Sequence, residues 1–469
     1  MHEVSEYEIC KILSTLKKTS PGPDGIPHWV FRNCAIELTP VLTHIINLSL
    51  RTGVVPDAWK RALVTPVLKV KKVSEYKGHS DLRPISVTSI LSRTVERLVV
   101  QKYLWPSLNN DMMNDQFGFR PTGSTACALI YMLHTIYSMF ESGNDYVRCI
   151  LIDYSKAFDV IDHATLMTEL GCLGLHASIY RWICNFLTGR TQAVKALGLV
   201  TAFLAITRSI VQGSGIGPML YIALARRLKT LSKRNALSKY ADDTSLMSPQ
   251  HTDCSIEQEF DHVLNWSSEN KLTINKTKTQ EIIFYKSNKI AHKHDIPLIP
   301  GIARVEEVRL LGVILTSYLS WSRHIDSVLI CASQRLYLIN QLKYMALGIT
   351  GLSNIFRALV VSKMLYALTA ISGSLNQSDI NRLDATIRKA KRWGLTNMVE
   401  AFSDLSENAD AKLFTSLQQN PGHCLTQLLP NLNKKDRYSL RNKTKYDIPL
   451  IKNEKLLKSF IIRCCLHEH

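Results

Sequence analysis

The chain has 469 residues, with 57 Lys plus Arg against 39 Asp plus Glu, so its formal charge is +18. Its 46% apolar content excludes global disorder and suffices for about three domain-sized units or one large lobed core. The positive excess asks for a polyanionic partner, and nucleic acid leads that class.

The start, Met1-His2-Glu3-Val4-Ser5-Glu6, has neither the basic nor the apolar segment of a secretory signal. Residues 5–18 read as a short helix, because Ile9, Ile12, Leu13 and Leu16 share one face. Ser20-Pro21-Gly22-Pro23-Asp24-Gly25 stops it with turn chemistry. Residues 40–52 read as a second helix and Leu63 to Leu68 as a short strand. The apolar run from Tyr146 to Ile152 predicts a buried strand that ends at Asp153. The uncharged stretch Ser209 to Ala225 is broken by Gln212, three glycines and Pro218, so no membrane span is expected. A strand–turn–strand centres on Ala241-Asp242-Asp243, where Asp tolerates turn geometry.

Beyond about residue 320 the pattern turns helical, with one stripe of Leu329, Ala332, Leu336 and Ile339. A second stripe of Ile380, Leu383, Ile387 and Ala390 stops near Gly394, on a helix that carries Arg388, Lys389, Lys391 and Arg392. From Lys434 to Arg463 ten basic residues stand against three acids, a local balance of +7. The 11 cysteines are scattered without a C-x-x-C pair, which predicts a reducing compartment, no zinc ribbon and no disulfide-linked partner. The tail Cys464-Cys465-Leu466-His467-Glu468-His469 reads as a frayed terminus before it reads as a metal site.

Three carboxylates stand out in so basic a chain. Asp153 ends an apolar strand, and Asp242 and Asp243 sit together at a hairpin tip. Adjacent like charges at a turn are unfavourable unless water or a cation bridges them. An isolated Asp-Asp turn is more often simply solvated. Two Mg²⁺ ions shared by such carboxylates are the other solution, and they suit in-line phosphoryl displacement.

The context decides between these readings. Leu151-Ile-Asp153-Tyr-Ser-Lys-Ala-Phe158-Asp159 is followed by Gln212-Gly213-Ser214-Gly215, then Tyr240-Ala241-Asp242-Asp243, then Leu272-Thr-Ile-Asn275-Lys-Thr-Lys278-Thr279. Upstream lie Ser20–Gly25, Leu82-Arg83-Pro84-Ile85-Ser86 and Gln116-Phe117-Gly118-Phe119-Arg120, and downstream Leu310-Leu311-Gly312-Val313. In this order the fragments resemble the reverse transcriptase domain of non-LTR (LINE, jockey-like) retrotransposons, closely over about residues 10–320 and more loosely beyond.

The resemblance implies an α+β right-hand polymerase fold, with fingers, a palm built on an antiparallel sheet, a helical thumb and a basic C-terminal extension. It divides the chain into 1–45 leading into the fingers, 46–316 as fingers and palm, 317–400 as a thumb-like region and 401–469 as the basic end. The implied activity is RNA-directed DNA polymerisation with two Mg²⁺ ions, for which Mn²⁺ substitutes, held by Asp153, Asp242 and Asp243. The implied partners are an RNA template, a DNA primer or target and deoxynucleoside triphosphates, in the cytoplasm or nucleus and with no membrane.

Phe158 matches the family's steric gate, which stacks under the incoming sugar where a 2′-hydroxyl would clash. Gln212, Gly213 and Tyr240 match positions that line the template and incoming nucleotide. Lys278 matches the lysine that protonates departing pyrophosphate, with Lys276 as its neighbour. Arg83 and Arg120 match fingers positions where guanidinium forks grip phosphates. Val211 stands where the family usually has proline, and the segment Tyr221–Leu228 lacks the acid common before the Tyr-Ala-Asp-Asp box. The short stretch ahead of the core implies a copy without the family's endonuclease domain. The alternative reading is a truncated, inactive relic that only binds RNA or DNA.

Overall fold

Tyr146–Ile152 forms the predicted strand and lies at the centre of a five-stranded sheet. The strand order is Ala303–Val305, Gln280–Tyr285, Tyr146–Ile152, Asp243–Pro249 and Ala236–Tyr240. All pairings are antiparallel except that of the 303–305 edge, which is parallel to 280–285. Residues on both faces of Tyr146–Ile152 are buried, which explains its near-continuous apolar run. The exception, Arg148, is buried but donates to Glu281 at 2.7 Å and to Glu257 at 2.6 Å. Glu281, fully buried in the next strand, also accepts from Arg304 at 2.8 Å, so the charge is paired rather than stranded.

This computed structural model describes residues 3–69, 78, 81–108, 111–290, 294–433 and 445–467. The chain is α+β and forms two units, each assembled from separated stretches. The first comprises Met1–Met113, Tyr154–Leu228 and Leu264–Thr273; the second comprises Asn114–Asp153, Lys229–Val263 and Ile274–His469.

In the second unit one apolar core runs from the helix Thr125–Glu141 through the sheet into the C-terminal helices. Leu129, Leu133, Ile136 and Phe140 supply one side of it, and the helix Ser322–Tyr344 supplies Ala332, Leu336 and Ile339. Leu329 is only half-buried and Val328 takes the inner position, a rotation of one residue from the predicted stripe. On Gln377–Arg392 the inner residues are Leu383, Ile387 and Ala390, and the chain leaves the helix at Gly394, whose φ is 64°. That left-handed conformation is why glycine ends it.

One stretch, Ile349–Ser374, is long and apolar enough to cross a membrane by length and composition alone. Its Leu352, Phe356, Val360 and Met364 are buried in this core at i, i+4 spacing, which accounts for the apolar character. Cys464, Cys465 and Leu466 are not frayed: they belong to the helix Phe460–His467, of which Phe460, Ile461 and Cys465 bury one face. Much of the predicted basic run lies outside the described residues, namely 434–444.

The first unit is built on a mixed sheet in which Arg61–Leu68 pairs antiparallel with Leu82–Val87 and parallel with Arg190–Ala196. Helix Glu6–Ser14 opens with a capping box, Ser5 with Glu8, and buries Ile9 and Leu13. The helix predicted over 40–52 starts earlier, at Ala35, and runs through Pro40 because Ala35, Thr39, Leu42 and Ile46 share its buried face. Helix Gly217–Ala225 is apolar all round and almost wholly buried, as its composition requires.

Candidate active site

The palm-like end of the sheet brings the predicted carboxylates together through strand register. Ile152 pairs with Thr244, so the next position along each strand is Asp153 on one and Asp243 on the other. Tyr240 pairs with Asp243, which leaves Ala241 and Asp242 as a two-residue hairpin turn. Ala241 takes a φ of 58°, the left-handed region that tight hairpins demand and that alanine adopts only under strain. Protein crowding around the carboxyl of Asp243, then the charges of Asp242 and Asp153, push its pKa up to about 6. Asp243 is nonetheless exposed at the surface, and Asp153 and Asp242 are half-buried.

Two segments hold this corner in place, a task that no motif of the linear chain points to. The first is Asp115–Gly118, which runs beside the strand Ala236–Tyr240. Lys239 N donates to Asp115 O at 2.7 Å and Phe117 N donates to Lys239 O at 2.8 Å. Gln116 is buried, and its Oε1 accepts from Gly118 N at 2.9 Å and from Ala241 N at 3.0 Å. Gly118 is required here, since a Cβ would lie 2.5 Å from Ala241 N. Lys239 is buried with its Nζ 3.1 Å from Asp115; burial lowers its pKa and Asp115 opposes that.

The second segment is the turn Asn275–Thr279. Asn275 N donates to Asp153 O at 2.8 Å, and Asp153 N donates to Thr279 Oγ1 at 3.3 Å. Thr279 Oγ1 in turn donates to Asn275 O at 2.9 Å. Both backbone groups of Asp153 are thus engaged by one turn. Lys276 and Lys278 lie exposed on that turn, because the following strand begins only at Gln280.

Other predicted residues cluster within the first unit. Half-buried Phe158 stacks on Tyr221 with ring centroids 4.8 Å apart. Gln212 Nε2 donates to Asp159 Oδ1 at 2.7 Å, and Ser86 N donates to Gln212 O at 2.8 Å. Gly213 has a φ of 112°, and a Cβ there would come within 2.4 Å of Ser86 O. The close approach this glycine permits is therefore to the Leu82–Val87 strand. Ser214 N donates to Val211 O at 3.0 Å, so the turn closes without a proline at 211. Buried Glu96 accepts from Gly215 N at 2.6 Å, Ile216 N at 3.3 Å and Ser92 Oγ at 2.7 Å, fixing the glycine-rich segment at the start of helix Gly217–Ala225. Arg83 is exposed on the edge strand of the first unit's sheet.

Arg120 is the exception. It is 5% exposed and turns inward, donating to Gln116 O at 3.4 Å and to Gly422 O at 3.5 Å, and burial lowers its pKa. It is placed to shape the protein rather than to grip a phosphate.

Asp153, Asp242 and Asp243 offer hard oxygen donors; burial does most to raise the pKa of Asp243, and the charges of Asp242 and Asp153 add a repulsion that a divalent cation would relieve. The donor chemistry fits Mg²⁺-class ions. The three are near neighbours without being one tight cluster: among the described residues, the group of three whose ligand atoms all meet within 4.8 Å is Cys127, His423 and Cys424.

Residues 70–315 match the sequence profile of the family described as reverse transcriptase (RNA-dependent DNA polymerase). The chain is 25% identical over 397 residues to the RNA-directed DNA polymerase from mobile element jockey of Drosophila funebris, covering 81% of this chain and 42% of that protein. The Drosophila melanogaster jockey protein is 24% identical over 398 residues, with the same coverage. The retrovirus-related Pol polyprotein from the type-2 retrotransposable element R2DM of Drosophila melanogaster is 29% identical over 239 residues, 49% of this chain and 22% of that one. The chain thus spans less than half the length of these curated relatives. A solved Candida tropicalis telomerase shares 12% identity over 62% of this chain and 59% of its own, with a TM-score of 0.38, too slight a likeness to carry an argument. The profile match and the jockey relatives agree with the motif order: the chain belongs to the reverse transcriptase family, among those of non-LTR retrotransposons.

Proposed function

We propose that this chain is the polymerase portion of a jockey-like element and extends a DNA primer by copying RNA. The observation that carries this reading is the register that makes Asp153 and Asp243 facing neighbours, with Asp242 at the adjoining hairpin turn. Asp153, Asp242 and Asp243 would hold two Mg²⁺ ions, which when bound neutralise phosphate charge and lower the pKa of the primer 3′-hydroxyl. The chain's own residues do the positioning. The Asn275–Thr279 turn fixes the backbone of Asp153, and Gln116 fixes the hairpin. Lys278, exposed on that turn, serves as the proton donor to departing pyrophosphate.

In this reading Phe158, backed by Tyr221, bounds the sugar site, and Gln212, Gly213 and Tyr240 line the template and nucleotide. Arg83 meets phosphate from the fingers, and the helices over about 317–400 act as the thumb. The basic surface that follows from a charge of +18 concentrates RNA and DNA, with a strong salt dependence. The activity belongs to the cell interior, where these partners are found.

The test is primer extension on an RNA template by purified protein. Metal-dependent extension that falls at least about 10³-fold in Asp242→Asn supports the proposal, since one such group carries several kcal/mol of transition-state stabilisation. Salt-sensitive RNA binding without extension would leave the relic reading in its place.

A further inference from the structure

Cys127, His423 and Cys424 are distant in sequence, yet one ligand atom of each lies within 4.8 Å of the others. All three are closed off from solvent, with exposures of 1%, 5% and 3%. Local structure holds each of them. Cys127 lies in the first turn of the helix Thr125–Glu141, where its amide donates to Ser124 Oγ and the Ser124 hydroxyl donates to Cys127 Sγ, both at 3.1 Å. A thiolate is favoured at such a helix start. His423 and Cys424 sit on the turn after the helix Phe402–Gln419. There His423 N donates to Asn420 O at 2.9 Å, and Cys424 N donates to Thr122 Oγ1 at 3.1 Å.

The carbonyl of Thr122 completes the group, 3.3 Å from Cys424 Sγ and 3.7 Å from Cys127 Sγ. With metal–sulfur bonds of about 2.3 Å and metal–oxygen bonds of about 2.1 Å, tetrahedral donors lie about 3.6 Å apart. The two observed spacings bracket that value. Arg120 lies beside the group, its guanidinium donating to Gly422 O and sensing the charge of both sulfurs.

We propose that Cys127, His423 and Cys424, with the Thr122 carbonyl oxygen, form a structural zinc site in the second unit. Two thiolates and one imidazole are the soft donor set that selects zinc over Mg²⁺. Binding converts two thiols to thiolates and releases two protons, so the Zn²⁺ and its two thiolates are together neutral. The imidazole enters as the neutral ring; if it binds through Nδ1, the metal bond replaces the 3.2 Å hydrogen bond from Leu425 N. The site ties residues 420–425 to the start of the helix Thr125–Glu141 and holds Arg120 inward. Its role is in folding, and none of its ligands is one of the three polymerase carboxylates.

The experiment uses the full chain, purified with a reducing agent and without chelator. Elemental analysis is expected to find one zinc per chain, and a strong zinc chelator is expected to lower the melting temperature. Replacement by Co²⁺ should produce a thiolate-to-metal absorption band. Cys127→Ser and Cys424→Ser should lose the metal, while Cys149→Ser, at a buried thiol outside the group, should keep it. If the serine variants do not fold, the Co²⁺ band and the chelator response of the unaltered chain decide the matter. Three results overturn the proposal: a metal-free chain whose melting ignores added zinc, zinc retained in Cys424→Ser, or a Cys127–Cys424 disulfide in the reduced preparation.

Discussion

Gln116 Oε1 accepts the backbone amide of Ala241 at 3.0 Å, and so ties a residue of the Gln-Phe-Gly-Phe-Arg motif to the hairpin turn that carries Asp242. The same oxygen accepts Gly118 N at 2.9 Å, so one side-chain atom fastens both the strap and the turn. Ala241 holds a left-handed φ that its side chain disfavours, and that conformation persists only where surrounding bonds over-determine it.

Gln116 is therefore a positioning residue for Asp242 and Asp243. Gln116→Ala leaves two buried amides without an acceptor, at a cost of about 1–3 kcal/mol. Steady-state primer extension should show kcat lowered roughly 10- to 100-fold with the nucleotide KM little changed. Gln116→Glu, which keeps the acceptor oxygen, should recover most of the loss. A Glu variant as impaired as the Ala variant would rule the role out.

Asp243 makes the acid cluster sensitive to pH. Its carboxyl is raised from an ordinary 3.8 to about 6, so the folded state holds the proton more tightly than the unfolded chain does. That contribution to stability is full below about pH 4 and is lost as pH rises through about 6. Divalent cations bound by ionised carboxylates then offset the repulsion. Thermal melting should rise with Mg²⁺ at pH 8 and hardly respond at pH 5. An equal response at both values would contradict the assignment of these carboxylates.

Phe158, seated on Tyr221, offers a rigid half-exposed ring. Phe158→Ala should relax discrimination against ribonucleotides by roughly 10- to 200-fold, the range that a single steric contact provides. The measurement is the ratio of kcat/KM for matched deoxy- and ribonucleotides. An unchanged ratio removes the gate assignment.

Glu96 anchors the glycine-rich segment through two amides and a hydroxyl, with the charge of buried Arg190 to balance it. Glu96→Ala should destabilise the chain by about 2–3 kcal/mol, read from the urea midpoint. Glu96→Gln, which still accepts hydrogen bonds, should cost less. A wild-type midpoint in the Ala variant would show that the segment is held by other means.

Much of the candidate site is legible in the amino-acid sequence. The strand Tyr146–Ile152 and the Ala241–Asp243 turn follow from apolar runs and turn residues, which act over a few positions. The carboxylates are legible because acids are costly where those elements place them. Arg120 misleads because its Gly-Phe-Arg-Pro setting resembles a phosphate grip, whereas its burial depends on Gly422, far along the chain. The stretch Ile349–Ser374 escapes notice because its polar interruptions hide a continuous apolar face.

The linear chain alone determined the order of the motifs, the local elements and the excess of positive charge, since each depends on neighbouring residues. Folding decided that Gln116 reaches Ala241, that one turn grips Asp153 at both backbone groups, and that two cysteines and a histidine meet in the core. Those relationships depend on strand register and on closing long loops. Both are set by the burial of the whole core rather than by any short stretch of sequence.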